Sequence, residues 1–251
     1  MGVRKDYQEK QDVIKAIEND QIKTPHHIPV AVYIQEADLL YHWCQADKEA
    51  LTNVGLSWEL VQDLPVRIGA LVEAEAQWHV ERNTTKEAEK KWTSQSPIAY
   101  GLRNRLLKDF RFAFRMRDDL LAAVRHIAKG HTHADMIQDL NDLSVLGKAN
   151  RELLAAIRFD MSLLDEAAQT AAELASLLAE TNSCKLEYDK AKKIRDQAYT
   201  HLKEAVDEIC VHGKYVFRNN KERYIGYRSH YIRQKRSNRA SKSDAPGAEK
   251  K

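Results

Sequence analysis

His131-Thr132-His133, followed by Asp135 and Asp139, comes closest in this sequence to a metal-binding set, and His26-His27 occupies the corresponding turn upstream. Zinc or nickel suits such donors, but a structural site wants four well-placed ligands. The better reading is a polar turn ahead of a helix, with Thr132 as its N-cap. Glu75 and His79 are four residues apart, whereas a di-metal bundle site uses Glu-x-x-His and repeats it on a second helix. Here the positions that would repeat it are Leu178 and Asn182. No glycine-rich phosphate loop, nucleophile elbow or paired-cysteine knuckle is present. Cys44, Cys184 and Cys210 fall on apolar helical faces, where a thiol is usually inert packing. No catalytic, cofactor-binding or metal residue is therefore assigned, and the chain is expected not to be an enzyme.

Charge is the one strongly uneven property. Residues 211–242 hold ten cations against the single acid Glu222, although the 251-residue chain carries a net charge of only +3. A second basic run holds Arg103, Arg105, Lys108, Arg111, Arg115 and Arg117 against Asp109 alone. The candidate anion- or partner-binding residues are Arg111, Arg115, Lys214, Arg218, Arg223, Arg228, Arg233, Lys235 and Arg236. Interleaved with Tyr215, Phe217, Tyr224, Tyr227 and Tyr231, they suit phosphates and stacked bases, an anionic surface or an acidic protein face. Cations near a helix C-terminus also complement its dipole, which accounts for two or three of them.

These residues must be positioned by helices. Nine glycines and five prolines in 251 residues are too few for a sandwich or barrel. A mean hydropathy of -0.61 with 43% hydrophobic residues is too apolar for a wholly disordered chain. No segment reaches the length of a membrane helix, Met1 opens no signal-peptide pattern, and three scattered cysteines suggest a reducing cytoplasm. Helical periodicity predicts a helix over 3–19, a turn around Pro25 and Pro29, and a helix over 31–51. Ser57 is the candidate N-cap of the next, long helix, with a start nearer Leu64 or a kink at Pro65 as the alternative. A kink or break is expected at 94–97, and a short helix covers 118–128. The stretch 81–91 lacks large aliphatics and is expected to be weakly anchored, while Trp78 and Trp92 share a face. From Asp160 to His212 nothing interrupts a second long helix, whose seam of Leu174, Leu177, Thr181, Cys184, Tyr188, Ala191, Ala198, Leu202, Ala205 and Ile209 is coiled-coil-like. Arg195 sits where that seam skips a position.

The signals repeat. At an offset of 103 residues, Ala31, Ile34, Gln35, Leu40, Ala46, Glu49 and Leu51 meet identical residues, where chance gives roughly one or two. Arg111-Phe-Ala-Phe-Arg115 lies over Lys214-Tyr-Val-Phe-Arg218. The sequence thus divides into an N-terminal helix and Pro-rich turn (1–27), a helical half 28–130, a second half 131–233 and a disordered basic tail (234–251). The expected fold is all-α: an elongated antiparallel helical bundle of two pseudo-equivalent units with very long helices, from tandem duplication. Phe114 and Phe217 are expected to be buried, with Arg115 and Arg218 at the ends of the long helices against free carbonyls or a nearby acid such as Asp118 or Glu222.

The segments ADMIQDLNDLSVLGK (134–148) and YVFRNNKER (215–223) resemble parts of uncharacterised bacterial all-helical proteins. The resemblance implies a bacterial, cytoplasmic helical protein and attaches no function. The expected role is a non-enzymatic scaffold or adaptor, or a self-assembling structural protein, with no cofactor. A protein partner or a second copy is the expected target. The alternative is nucleic-acid association through the basic C-terminal region.

Overall fold

The computed structural model describes residues 2–243, with side-chain surroundings through 239; the rest of the expected tail, 244–251, lies outside the described residues. All regular structure among the described residues is helical: α1 (Val3–Ala16), α2 (Val30–Gln45), α3 (Lys48–Thr52), α4 (Trp58–Gln62), α5 (Leu64–Ala113), α6 (Asp118–Ile127), α7 (His133–Ala149), α8 (Arg151–Ala155), α9 (Ser162–Val216), α10 (Lys221–Tyr224), a 3-10 turn (Ile225–Tyr227) and α11 (His230–Ser243). The long helices α5 and α9 contain 50 and 55 residues, roughly 75–80 Å at 1.5 Å per residue. No helix among the described residues is long and apolar enough to cross a membrane.

The chain forms two compact units, Met1–Val80 with Asp189–Lys251, and Glu81–Tyr188, each with its own core. This division differs from the sequence halves 28–130 and 131–233, because each long helix contributes to both units. In unit 1, Arg67 meets His201 and Glu75 meets Arg195, so the two helical segments run in opposite directions. In unit 2 the Thr85 hydroxyl donates to the carbonyl of Cys184, and Phe110 meets Phe159 edge-on at 6.0 Å.

Local structure repeats with the same offset. Helices α5 and α9 end at Ala113 and Val216, and the next helices start at Asp118 and Lys221. Leu51 and Leu154 are both fully buried, and each carbonyl accepts from the amide five residues on, Leu56 and Phe159. Each of those turns contains a positive φ, +93° at Gly55 and +56° at Arg158. A left-handed conformation costs an L-residue roughly 1–2 kcal/mol, part of which glycine's extra unfolded-state freedom cancels. Arg158→Gly should therefore stabilise the protein by about 0.5–1 kcal/mol, and Gly55→Ala should destabilise it similarly, as measured by urea unfolding.

Several expectations need correction. The 31–51 helix is two, α2 and α3, parted at Ala46-Asp47, and α7 and α8 part likewise at Asn150. Of the kink or break expected at 94–97, the break is absent: α5 continues through Pro97. Trp92, Ala99 and Leu102 are buried there, and their packing opposes the roughly 3 kcal/mol cost of an interior proline. The stretch 81–91 is anchored after all, through small residues; Thr85 and Ala88 are buried. The chain is helical to Ser243, where the sequence predicts disorder from residue 234.

Arg195 is buried beneath the seam, its guanidinium 4.3 Å from the Trp78 ring centre and paired with Glu75 and Asp196. It belongs to a polar stretch of α9 that receives the segment after α1. Gln197 donates to the carbonyl of Ile17, and the Thr200 hydroxyl accepts from the amide of Lys23. The polar residues here replace water for a strand of backbone that forms no helix of its own. His201, buried in the same stretch, is held down to about 4 by burial, then by the Arg67 charge, with Asp63 opposing and Lys10 adding to the depression. Unfolded, the imidazole titrates near 6.5, so between those values the unfolded chain binds more protons. Its contribution is complete above about pH 6.5 and is lost as pH falls towards 4, by about 2–3 kcal/mol. Urea unfolding across this window should show that slope, and His201→Asn should flatten it.

Candidate functional site

The repeated basic-aromatic element occupies the C-terminal turn of each long helix. In unit 2, Phe114 is fully buried against Phe110, while Phe112 is 58% exposed. In unit 1, Tyr215 is 60% exposed and Phe217 only half-buried, so the expected burial holds for Phe114 and not for Phe217. Phe217 stacks on Tyr227 at 5.6 Å, with the ring planes 10° apart. Arg115 and Arg218 act alike. Each donates from Nη1 to the carbonyl three residues back, Phe112 or Tyr215, at 2.9 Å. Each guanidinium lies over that residue's ring, at 4.6 and 4.9 Å. The cation adds a donor to a carbonyl at the helix end, that of Phe112 also accepting from the Arg115 amide at 3.4 Å, and covers an aromatic ring that remains open to solvent on its other parts.

The remaining basic candidates separate into structural and open ones. Arg223 is structural: it pairs with Asp47, donates to the carbonyl of Trp43 and lies 4.2 Å from the Trp43 ring centre. Tyr227 donates its hydroxyl to the same carboxylate at 2.6 Å. Asp47 is thereby the hub joining α2, α10 and the 3-10 turn, a role that sequence reasoning missed. Burial, then the bond to Asp47, pushes the Tyr227 phenol above its ordinary range. Two close approaches support this hub: a Cβ on Gly213 would strike the Tyr227 ring, and one on Gly226 the Trp43 indole, each at 2.0 Å.

Lys214, Arg228, Arg233 and Arg236 are brought together on a cavity of about 440 Å³ in unit 1, between α2, the end of α9, the 3-10 turn and α11. Tyr33, Ala37, Trp43 and Cys210 supply its apolar wall. Glu36, on the same wall, accepts from the amide of Tyr231 and the hydroxyl of Ser229, securing the start of α11. Lys235 lies 5.8 Å from the Tyr231 ring centre, and Arg228 lies 5.8 Å from that of Tyr224. Arg111 and Arg115 lie in unit 2 and do not join this group.

The other chemistry-bearing residues have ordinary surroundings. Burial pushes the Cys44 thiol up to about 12 and Cys210 up to about 11, so both stay protonated and unreactive near neutrality. Thr132 caps α7 in a reciprocal capping box with Asp135, whose carboxylate also accepts from the amide of His131. His133 meets the Tyr100 hydroxyl at 3.0 Å. No group of three His, Cys, Asp or Glu side chains suited to a metal ion occurs among the described residues. Asp139 pairs with Arg103, yet burial holds its carboxyl above the usual range.

Fold and surface together define a class, an all-helical protein with two long shared helices and a basic-aromatic turn at the end of each. No known protein family, curated protein or solved structure matches the chain.

Proposed function

We propose that the protein is a non-enzymatic helical adaptor, built by tandem duplication, that associates with an acidic protein face through its two basic-aromatic turns. The observation that carries this reading is the shared geometry at Phe112/Arg115 and Tyr215/Arg218. An exposed aromatic carrying a stacked arginine combines the residue types enriched at interface hot spots, and both elements keep the ring exposed, Phe112 at 58% and Tyr215 at 60%. A second copy of the chain is the partner we favour. Residues 211–242 carry ten of the 40 cations and only one acid, leaving residues 1–210 net acidic, so each chain offers both signs.

Sedimentation equilibrium of the intact protein tests this. Self-association is expected at about 50 mM salt and should weaken at about 500 mM, as surface charges are screened. Tyr215→Ser with Arg218→Ser should reduce it without loss of helix content. A monomer at every concentration up to about 100 µM in low salt would rule out the second copy as partner.

Nucleic-acid association is the second reading, favoured by the basic density of 211–242. Against it, Arg115, Arg218 and Arg223 spend donors on the protein's own carbonyls and on Asp47. Filter binding to single-stranded DNA separates the two readings. A phosphate-driven complex with six or more contacts to a single strand should lose at least about 300-fold in affinity between 50 and 200 mM salt. The adaptor reading expects no complex at the lower salt.

A further inference from the structure

We infer that the unit 1 cavity is a binding site for a small amphipathic anion, with an aromatic or acyl body and a carboxylate or phosphate head. Its volume of about 440 Å³ lies within the range of ordinary small-molecule pockets. Leu39 and Ile225 line it and are themselves exposed, at 61% and 44%, so the cavity reaches the surface. Three buried polar atoms on its lining residues have no hydrogen-bond partner: the Tyr33 hydroxyl, the Trp43 indole nitrogen and Nε of Arg233. Tyr33 is only 6% exposed. Buried donors are nearly always satisfied, and these three share the need for an acceptor.

Charge makes the same demand. The cavity's two acids are already engaged, Glu36 by Tyr231 and Ser229, and Asp207 by Lys203. Lys214, Arg233 and Arg236 have no ion-pair partner among the described residues. The site therefore carries uncompensated positive charge beside apolar walls, which fits an anion with an apolar body.

The corresponding places in unit 2 are filled. At the 103-residue offset, Ala37 becomes Leu140, Cys210 becomes Leu107, and Val206 and Glu36 become the ion-paired Arg103 and Asp139. Leu140 and Leu107 are buried. Small residues thus stand in unit 1 at positions that larger, buried counterparts occupy in unit 2; the unit 2 cavity that Leu107 and Arg111 line is bounded by α5 alone. This inference is independent of the association reading.

Isothermal titration of the full chain with decanoate, decyl phosphate and decanol tests it. One-to-one binding of an anionic ligand is expected, with decanol at least about tenfold weaker because it lacks the charge. Whichever anion binds more tightly identifies the head as carboxylate or phosphate. Arg233→Ala and Tyr33→Phe should each weaken that anion by about tenfold and leave decanol unchanged. Tyr33→Phe should also melt no lower than the parent, since it removes a hydroxyl with no partner. No saturable anion binding up to about 1 mM, decanol binding as tightly, or both variants keeping full affinity would overturn the assignment.

Discussion

Phe114→Ala is expected to destabilise the protein by about 3–5 kcal/mol, while Phe217→Ala, at the equivalent place in the other unit, should cost about half as much. The Phe114 ring is fully buried, 5.3 Å from Phe110, which in turn packs on Phe159. Its removal leaves a cavity that helices held at both ends cannot close, so the lost contacts add to the lost burial. Phe217 is half-buried and rests on Tyr227 alone among the rings. Water fills much of the space its truncation leaves. Urea unfolding of both variants measures the difference, and equal costs would mean that the two turns close their units equally tightly.

Asp47→Ala should cost a similar amount, about 3–5 kcal/mol, for a different reason. The carboxylate is 8% exposed and answers both Arg223 and the fully buried Tyr227 hydroxyl. Alanine would leave two groups short of a partner: the phenol, which has surrendered its water, and Arg223, whose side chain is 28% exposed and keeps only the Trp43 carbonyl and solvent. Asp47→Asn keeps an acceptor and should be milder, by at least about 1 kcal/mol. Adding Tyr227→Phe to Asp47→Ala should recover part of the loss, because one of the two groups left short of a partner disappears. A double-mutant cycle reads this directly. Strict additivity would show that the hydroxyl and the carboxylate do not depend on each other. In unit 2 the same places hold Asn150, Leu120 and Val124, so no equivalent polar hub is available there.

How far the sequence is legible follows from the range of each interaction. Helix starts at Asp118 and after Thr132 are legible because capping and apolar periodicity act within a turn or two of chain. So are the contacts of Arg115 and Arg218 with the carbonyls ending their helices, which lie three residues away. The expected Ser57-capped long helix, by contrast, is a short α4 followed by α5 from Leu64. The continuity of α5 through Pro97, where a kink or break is expected, and the break at Asp47, which the pattern does not show, are places where distant packing overrides a local preference. The Trp92–Leu102 face holds a proline-bearing helix together, and Tyr227, 180 residues away, draws Asp47 into the core.

The same distinction governs function. The sequence alone determines the helical class and the concentration of positive charge at 211–242, since each is a property of residue types and their spacing. Only the tertiary structure decides which cations are spent and which remain open. Arg223 and Arg233 are indistinguishable in a basic run, yet one is satisfied by Asp47 and the other faces a cavity with an unpaired Nε. The cavity itself depends on Ala37 and Cys210, small residues more than 170 positions apart that an apolar pattern treats as ordinary core. Pattern records which side of a helix is apolar. Whether that side is filled depends on the volumes that distant segments bring to it.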